Sequence, residues 1–146
     1  MSFQFLLAGV LRYRESIEQR EYFAIERTQQ EIARTEAGIQ QIEQDCAKAT
    51  QDRAAELAKG TRAADVEAAY EYQTALDQQL EALRGLLHEL KVKWRQQLAC
   101  YTAARRNRET LEELREKQRD AYSREQAKRE QSVMDDIFLA RRGRGN

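Results

Sequence analysis

The sequence contains no proline and only six glycines among its 146 residues. Because the turns of β-sandwiches and β-barrels recruit both residues, their scarcity argues against an all-β fold and against a proline-rich linker. Lysine and arginine together equal aspartate and glutamate at 25 each, so the whole chain lacks the basic excess that is typical of nucleic-acid-binding proteins. No run of about 18 apolar residues occurs, and we therefore predict no integral membrane segment.

Residues that carry chemistry are also rare. The chain has one histidine, His88, and two cysteines, and it contains no Cys-X-X-Cys pair, glycine-rich phosphate loop or His-Glu-X-X-His motif. Adjacent carboxylates such as Glu112 and Glu113 point about 100° apart on a helix, which prevents them from acting together as an acid and a base. We therefore predict that the protein is not an enzyme and has no catalytic residue, no metal site and no cofactor.

Helical patterning is abundant. Charged residues make up 34% of the chain and aromatic residues 8%, a composition typical of long helices and coiled coils. Apolar or small residues recur at alternating spacings of three and four from Ile25 to Ala49 and again from Leu76 to Trp94. Gly60 lies between the two stretches, and a left-handed glycine commonly ends a helix. The pattern predicts an all-α fold, a long antiparallel two-helix coiled coil (a helical hairpin) that is elongated.

The predicted hairpin is a single coiled-coil domain over residues 1–146. Its second helix is longer than its first, so the C-terminal end of the chain is expected to extend past the N-terminal end. The expected boundaries are helix 1 at about 3–58, a break at about 59–64, helix 2 at about 65–131, an overhang at 122–146 and a disordered tail at 143–146.

The pattern leaves the register of the two helices open. Small Thr28 opposite large Trp94 is a favourable volume match, but a displacement by one heptad also buries mostly apolar pairs. The favoured pairing places Cys100 opposite about residue 22, far along the first helix from Cys46, so we expect no intrachain disulfide. Because no basic residue precedes the apolar N-terminal run, we expect no secretory signal and a reducing cytoplasm.

The neutral total conceals a separation of charge along the chain. Residues 31–90 carry six basic and twelve acidic side chains, whereas residues 91–146 carry fifteen basic and nine acidic side chains. In an antiparallel hairpin the first range lies toward the closed end and the second toward the open end. The sequence therefore predicts an acidic closed end and a basic open end, which would attract different partners.

Four stretches follow one another in a characteristic order. Residues 3–14 have an aromatic, any residue, a second aromatic, an apolar pair, Val-Leu and Arg-X-Arg. Residues 105–117 have Arg-Arg-X-Arg and then Leu-Glu-Glu-Leu-Arg. Residues 122–131 have Tyr-Ser-Arg-Glu-X-X-X-Arg-Glu-Gln, and residues 134–142 have Met-Asp-Asp-Ile-Phe-Leu-Ala-Arg-Arg. In this order and spacing the chain resembles the flagellar FliJ family over almost its whole length.

The resemblance implies a cytoplasmic component of the bacterial flagellar type III protein export apparatus, peripherally associated with the inner face of the cell membrane. It implies a coiled coil similar to the stalk of rotary ATPases, without enzymatic activity, that supports flagellar assembly and hence motility and chemotaxis. The implied partners are the flagellar export ATPase ring, the export-gate membrane protein and flagellar substrate chaperones. The family's gate-binding residues correspond here to Tyr72, Leu76, Gln79 and Leu83. Gln4 and Asp136 are mild departures from the family pattern.

We predict that the basic open end contacts the export ATPase. The candidate charged contacts are Arg105, Arg106, Arg108, Arg115, Arg119 and Arg124. The candidate apolar contacts are Phe3, Phe5, Val133, Ile137 and Phe138. The apolar residues fit equally well a role in holding the two ends of the chain together.

Three other functions fit parts of the pattern. The equivalent stalk of a virulence type III secretion system would share the architecture. A generic coiled-coil scaffold would dimerise through the seam from Leu76 to Trp94, whereas we expect the hairpin stalk to be a monomer. A nucleic-acid binder would use the basic last third, but the acidic residues interleaved there argue against it, and we predict no nucleic-acid partner.

Overall fold

The computed structural model describes residues 2–145, which form two helices. Helix α1 is Ala8–Lys59 and helix α2 is Ala63–Arg144. The helices pack against each other as an all-α hairpin, and no strand occurs in residues 2–145. The predicted fold class is therefore confirmed.

The helix ends differ from those expected from the pattern. Residues 3–5 are not helical, and α1 is preceded by a turn in which the Ala8 N–H donates to the Phe5 carbonyl oxygen at 3.1 Å. Helix α2 does not end near residue 131 but continues to Arg144, and so includes Gly143 of the expected disordered tail. No proline or glycine lies between Gly85 and Gly143 to stop it. Asn146, the last residue of that tail, lies outside the described residues.

The break between the helices depends on one glycine. Gly60 has a φ of 84°, a left-handed conformation that residues with a Cβ rarely adopt. The Thr61 hydroxyl then donates to the Glu56 carbonyl oxygen at 3.0 Å and so satisfies an acceptor in the last turn of α1. At the start of α2, the Arg62 carbonyl oxygen accepts from the N–H of Asp65 at 3.1 Å. The chain therefore turns within three residues.

The hairpin divides into two compact units, which are described separately. The first unit is Met1–Arg20 with Thr102–Asn146, as far as these residues are described, and the second is Glu21–Tyr101. The organisation as one domain stays a prediction.

In the second unit the deepest side chain of the seam is polar. Thr28 is only 2% exposed, and its hydroxyl lies 2.6 Å from Gln97 Oε1 and 3.1 Å from the Ala24 carbonyl oxygen. The volume match favoured Trp94 as the residue opposite Thr28. The observed partner, Gln97, lies three residues C-terminal to Trp94. Around this pair the seam buries apolar side chains on both helices, among them Ile25, Leu76 and Leu90, each 7% exposed.

In the first unit the N-terminal segment is held against α2 by aromatic contacts. The ring centroids of Phe3 and Tyr122 are 5.7 Å apart, and the Arg119 guanidinium lies 6.0 Å from the Phe3 centroid. Leu11 on α1 and Ala104 on α2 are buried, at 3% and 6% exposure. These contacts keep the start of the chain beside α2 up to Tyr122.

Candidate partner-binding surfaces

Arg108 is bound within the hairpin and is not presented on its surface. Its guanidinium donates to both carboxylate oxygens of Glu18 on α1, and its Nη1 donates to Glu112 Oε2 at 2.7 Å. The Arg108 and Glu18 side chains are 22% and 13% exposed. The hydrogen bond from Arg108 to Glu18 raises the pKa of the guanidinium above its ordinary value, so the group stays charged. This cluster, Glu18–Arg108–Glu112, ties the two helices together.

The other predicted arginines do not share one face of α2. Arg115 is half-buried, and Arg119 packs on Phe3 and lies 3.6 Å from Glu116. With Arg108 they follow a spacing of seven and four residues, which places all three on the same side of α2, the side that contacts the N-terminal part of the chain. Arg105 is exposed and donates to Glu109 at 2.8 Å. The structure therefore separates Arg108, Arg115 and Arg119, on that side of α2, from arginines that face outward.

Arg106 and Arg124 also face outward, and unlike Arg105 they are not in an ion pair within the described chain. Both are exposed, and in the described chain no hydrogen bond or ion pair is seen for the guanidinium group of either. They are eighteen residues apart, which is five helical turns, so they lie on the same side of α2. They are the predicted arginines best placed to meet a partner.

The predicted apolar contacts divide in the same way. Phe3 and Phe5 are half-buried, and the Phe3 ring packs against Tyr122 at an interplanar angle of 50°. In contrast, Ile137 and Phe138 are 49% and 64% exposed. They belong to a group of exposed apolar residues near the end of α2, which also includes Val133, Met134 and Leu139. Phe3 therefore fits the role of holding the chain ends together, and the C-terminal group fits a contact surface.

The four residues that the resemblance gives for the export gate differ in accessibility. Tyr72 is 54% exposed and Gln79 is also exposed, whereas Leu76 is only 7% exposed. Leu83 is half-buried, and a Cβ at Gly38 would lie 3.6 Å from its Cδ1. A partner of the closed hairpin can reach Tyr72 and Gln79 but not Leu76.

The family model for the flagellar FliJ protein matches residues 3–146. The chain belongs to the FliJ family. The match extends over almost all of the sequence and confirms the resemblance given by the motifs near the two chain ends. Membership implies a component of the flagellar export apparatus and a structural coiled-coil protein. Comparison with curated proteins and with solved structures gives no match.

This FliJ-family chain shows no further chemical site in its described part. Residues 2–145 contain no group of histidine, cysteine or carboxylate side chains that could hold a metal ion. None of the helices described is long and apolar enough to cross a membrane. Cys46 is half-buried and Cys100 is exposed, and both are free.

Sequence reasoning missed Glu18 as a partner of Arg108, and Gln97 as the partner of Thr28. The opposite charges of Glu18 and Arg108 were visible, but they become a pair only once the register is known. Counting charges by segment identifies the basic half of α2 without indicating which arginines face α1. The face of each arginine follows from its spacing relative to Arg108.

Proposed function

We propose that this FliJ-family protein is a stalk-like component of the flagellar type III protein export apparatus that links the export ATPase ring to the export gate. The family match over residues 3–146 carries the proposal. The paired helices of the hairpin support it, since such a structure suits a linking element better than a catalytic one. In this role the protein is cytoplasmic and associates peripherally with the inner face of the cell membrane.

The ATPase contact is proposed for outward-facing residues of the first unit. Arg105, Arg106 and Arg124 supply positive charge, and Ile137 and Phe138 supply exposed apolar surface. Arg108, Arg115 and Arg119 support this surface by holding α2 against the start of the chain. Arginine suits such a contact because its planar guanidinium can bind a carboxylate with two hydrogen bonds.

The export-gate contact is proposed for the exposed residues of the early part of α2, Tyr72 and Gln79. Leu76 and Leu83 then act by holding α2 against α1, since they belong to the seam. Flagellar substrate chaperones are the third proposed class of partner. The protein is proposed to act as a monomer, which sedimentation equilibrium would test directly.

Binding to the cognate export ATPase tests the ATPase contact. We expect the double substitution Arg106→Glu and Arg124→Glu to weaken binding by about tenfold or more, because both positive charges are reversed at exposed positions. The matched control is Arg27→Glu with Arg34→Glu, two exposed arginines of α1 in the second unit. Equal effects of the two double substitutions, or no binding of the wild-type chain to the ATPase, would contradict the proposal.

A further inference from the structure

A cavity of about 290 Å³ lies beside the single tryptophan of the chain, in the second unit. Its lining residues are Gln29 and Ile32 on α1, with Lys91, Trp94 and Arg95 on α2. Ile32 and Trp94 are half-buried and supply apolar surface, whereas the other three residues are exposed. The volume is just below the roughly 300–1,000 Å³ of small-molecule sites, so the cavity suits one or two side chains better than a cofactor. We call it the Trp94 site.

The polar groups of the Trp94 site are short of hydrogen-bond acceptors. Lys91 and Arg95 are one helical turn apart on the same side of α2, and neither is in an ion pair within residues 2–145. The Trp94 indole nitrogen is buried, and its N–H has no acceptor in the same part of the chain, which is unfavourable. Among the five lining residues, Gln29 alone has a side chain that accepts a strong hydrogen bond. Two cations and an indole donor therefore share one amide acceptor.

Other cavities of the second unit contain carboxylates of the chain itself. One is lined by Arg27 and Lys93 together with Glu31. Another, next along α1, is lined by Glu36, which is in no ion pair within the described chain. The Trp94 site has no carboxylate among its lining residues. An anionic occupant would therefore complement its charge.

We propose that the Trp94 site binds an acidic segment of a partner protein, which inserts one apolar side chain into the cavity. That side chain packs against Ile32 and Trp94, and glutamate or aspartate residues beside it bind Lys91 and Arg95. The two cations select an acidic segment, and the cavity selects one that carries a large apolar residue between its carboxylates. The proposal goes beyond the proposed function, because the site shares no residue with the ATPase contact or the gate contact.

A short synthetic peptide is the probe. It carries one leucine flanked by glutamates and contains no tryptophan, so Trp94 alone reports binding through its fluorescence. The control peptide has serine in place of leucine and the same charge. We expect the full-length protein to bind the leucine peptide at least about tenfold more tightly than the control, because the leucine leaves water. Binding should shift the Trp94 emission and should weaken as salt is added.

Two pairs of neutralising substitutions locate the binding. Lys91→Gln with Arg95→Gln should weaken binding of the leucine peptide by about tenfold or more, because both cations of the site are removed. The matched control is Arg27→Gln with Lys93→Gln, which removes the same charge from two exposed residues of another cavity. It should change the affinity less than about threefold, because charges outside the site are screened. Circular dichroism should show unchanged helix content in both variants.

An added carboxylate gives an independent reading. Gln29→Glu places an acidic side chain in the Trp94 site, where it can pair with Lys91 or Arg95 and compete with the peptide. We expect it to weaken binding several-fold. Gln30→Glu adds the same charge at the next position, which is exposed and does not line the site, and should leave binding nearly unchanged.

Four results would overturn the proposal. Equal binding of the two peptides would show attraction by charge alone, and equal effects of the two neutralised variants would place the binding elsewhere. Peptide binding seen by anisotropy of a labelled peptide without a change in Trp94 emission would also place it elsewhere. Self-association of the wild-type chain, lost in Gln29→Glu, would show that a second copy occupies the site. Because these measurements contain neither export ATPase nor export gate, their failure is distinguishable from failure of the proposed function.

Discussion

The cluster of Glu18, Arg108 and Glu112 should contribute measurably to stability, unlike most ion pairs on a coiled coil. Exposed pairs contribute about 0.2–1 kcal/mol, whereas breaking a buried pair costs about 3–5 kcal/mol. The Arg108 and Glu18 side chains are 22% and 13% exposed, which places this pair between the two cases. We expect Arg108→Ala to lower the free energy of unfolding by about 2 kcal/mol, since it leaves the Glu18 carboxylate half-buried without its partner.

A double-mutant cycle isolates the interaction itself. Glu18→Ala, Arg108→Ala and the combined variant, unfolded with urea and followed by circular dichroism, should give a coupling energy of about 1–2 kcal/mol. The matched control is the pair Glu43 and Arg84, whose side chains are 50% and 60% exposed and whose coupling should be below about 0.5 kcal/mol. High salt should reduce the control coupling more than the Glu18–Arg108 coupling. A coupling near zero for Glu18 and Arg108 would refute the reasoning.

Three further predictions concern the seam, the turn and one phenol. Leu90→Ala should lower the free energy of unfolding by about 2–3 kcal/mol in a urea titration, because Leu90 is 7% exposed. Gly60→Ala should lower the free energy of unfolding by about 1 kcal/mol, because φ there is 84°. Gly85→Ala within α2 should raise it by about 0.5–1 kcal/mol, because a Cβ there meets nothing within 4 Å. A change of the same sign in both variants would contradict this reasoning. The negative charge of Glu26 raises the pKa of Tyr22, so Glu26→Gln should move one tyrosine titration to lower pH in ultraviolet absorbance.

The pH dependence that follows from Tyr22 has a definite sign. Because the pKa of Tyr22 is raised in the folded protein, ionisation of the phenol favours the unfolded chain. Its contribution to stability is therefore present below the unfolded value of about 10 and is lost as the pH rises through the folded value. A Tyr22→Phe variant should lose less stability than the wild type over this alkaline range.

The fold was predictable because its signals are local. The three-four spacing of Leu76 and Leu90 predicts a buried face whatever the partner helix, and Gly60 predicts the break through its own backbone freedom. The register was not predictable in this way, since apolar spacing repeats every heptad and fits several pairings. A polar contact, Thr28 with Gln97, marks the observed pairing.

The candidate surfaces were predictable in composition but not in detail. Segment charges identified the arginine-rich half of α2, yet Arg108 and Arg106, two residues apart, face different surroundings. Adjacent positions on a helix differ by about 100°, so a count along the sequence cannot distinguish them.

The function itself is tested most directly by export in the living cell. In the source bacterium we expect deletion of this gene to reduce the flagellar proteins found outside the cell and to impair swimming. The wild-type gene should restore both, and the Arg106→Glu and Arg124→Glu variant should restore them poorly at equal protein level. Normal export and swimming in the deletion strain would contradict a role in the flagellar export apparatus.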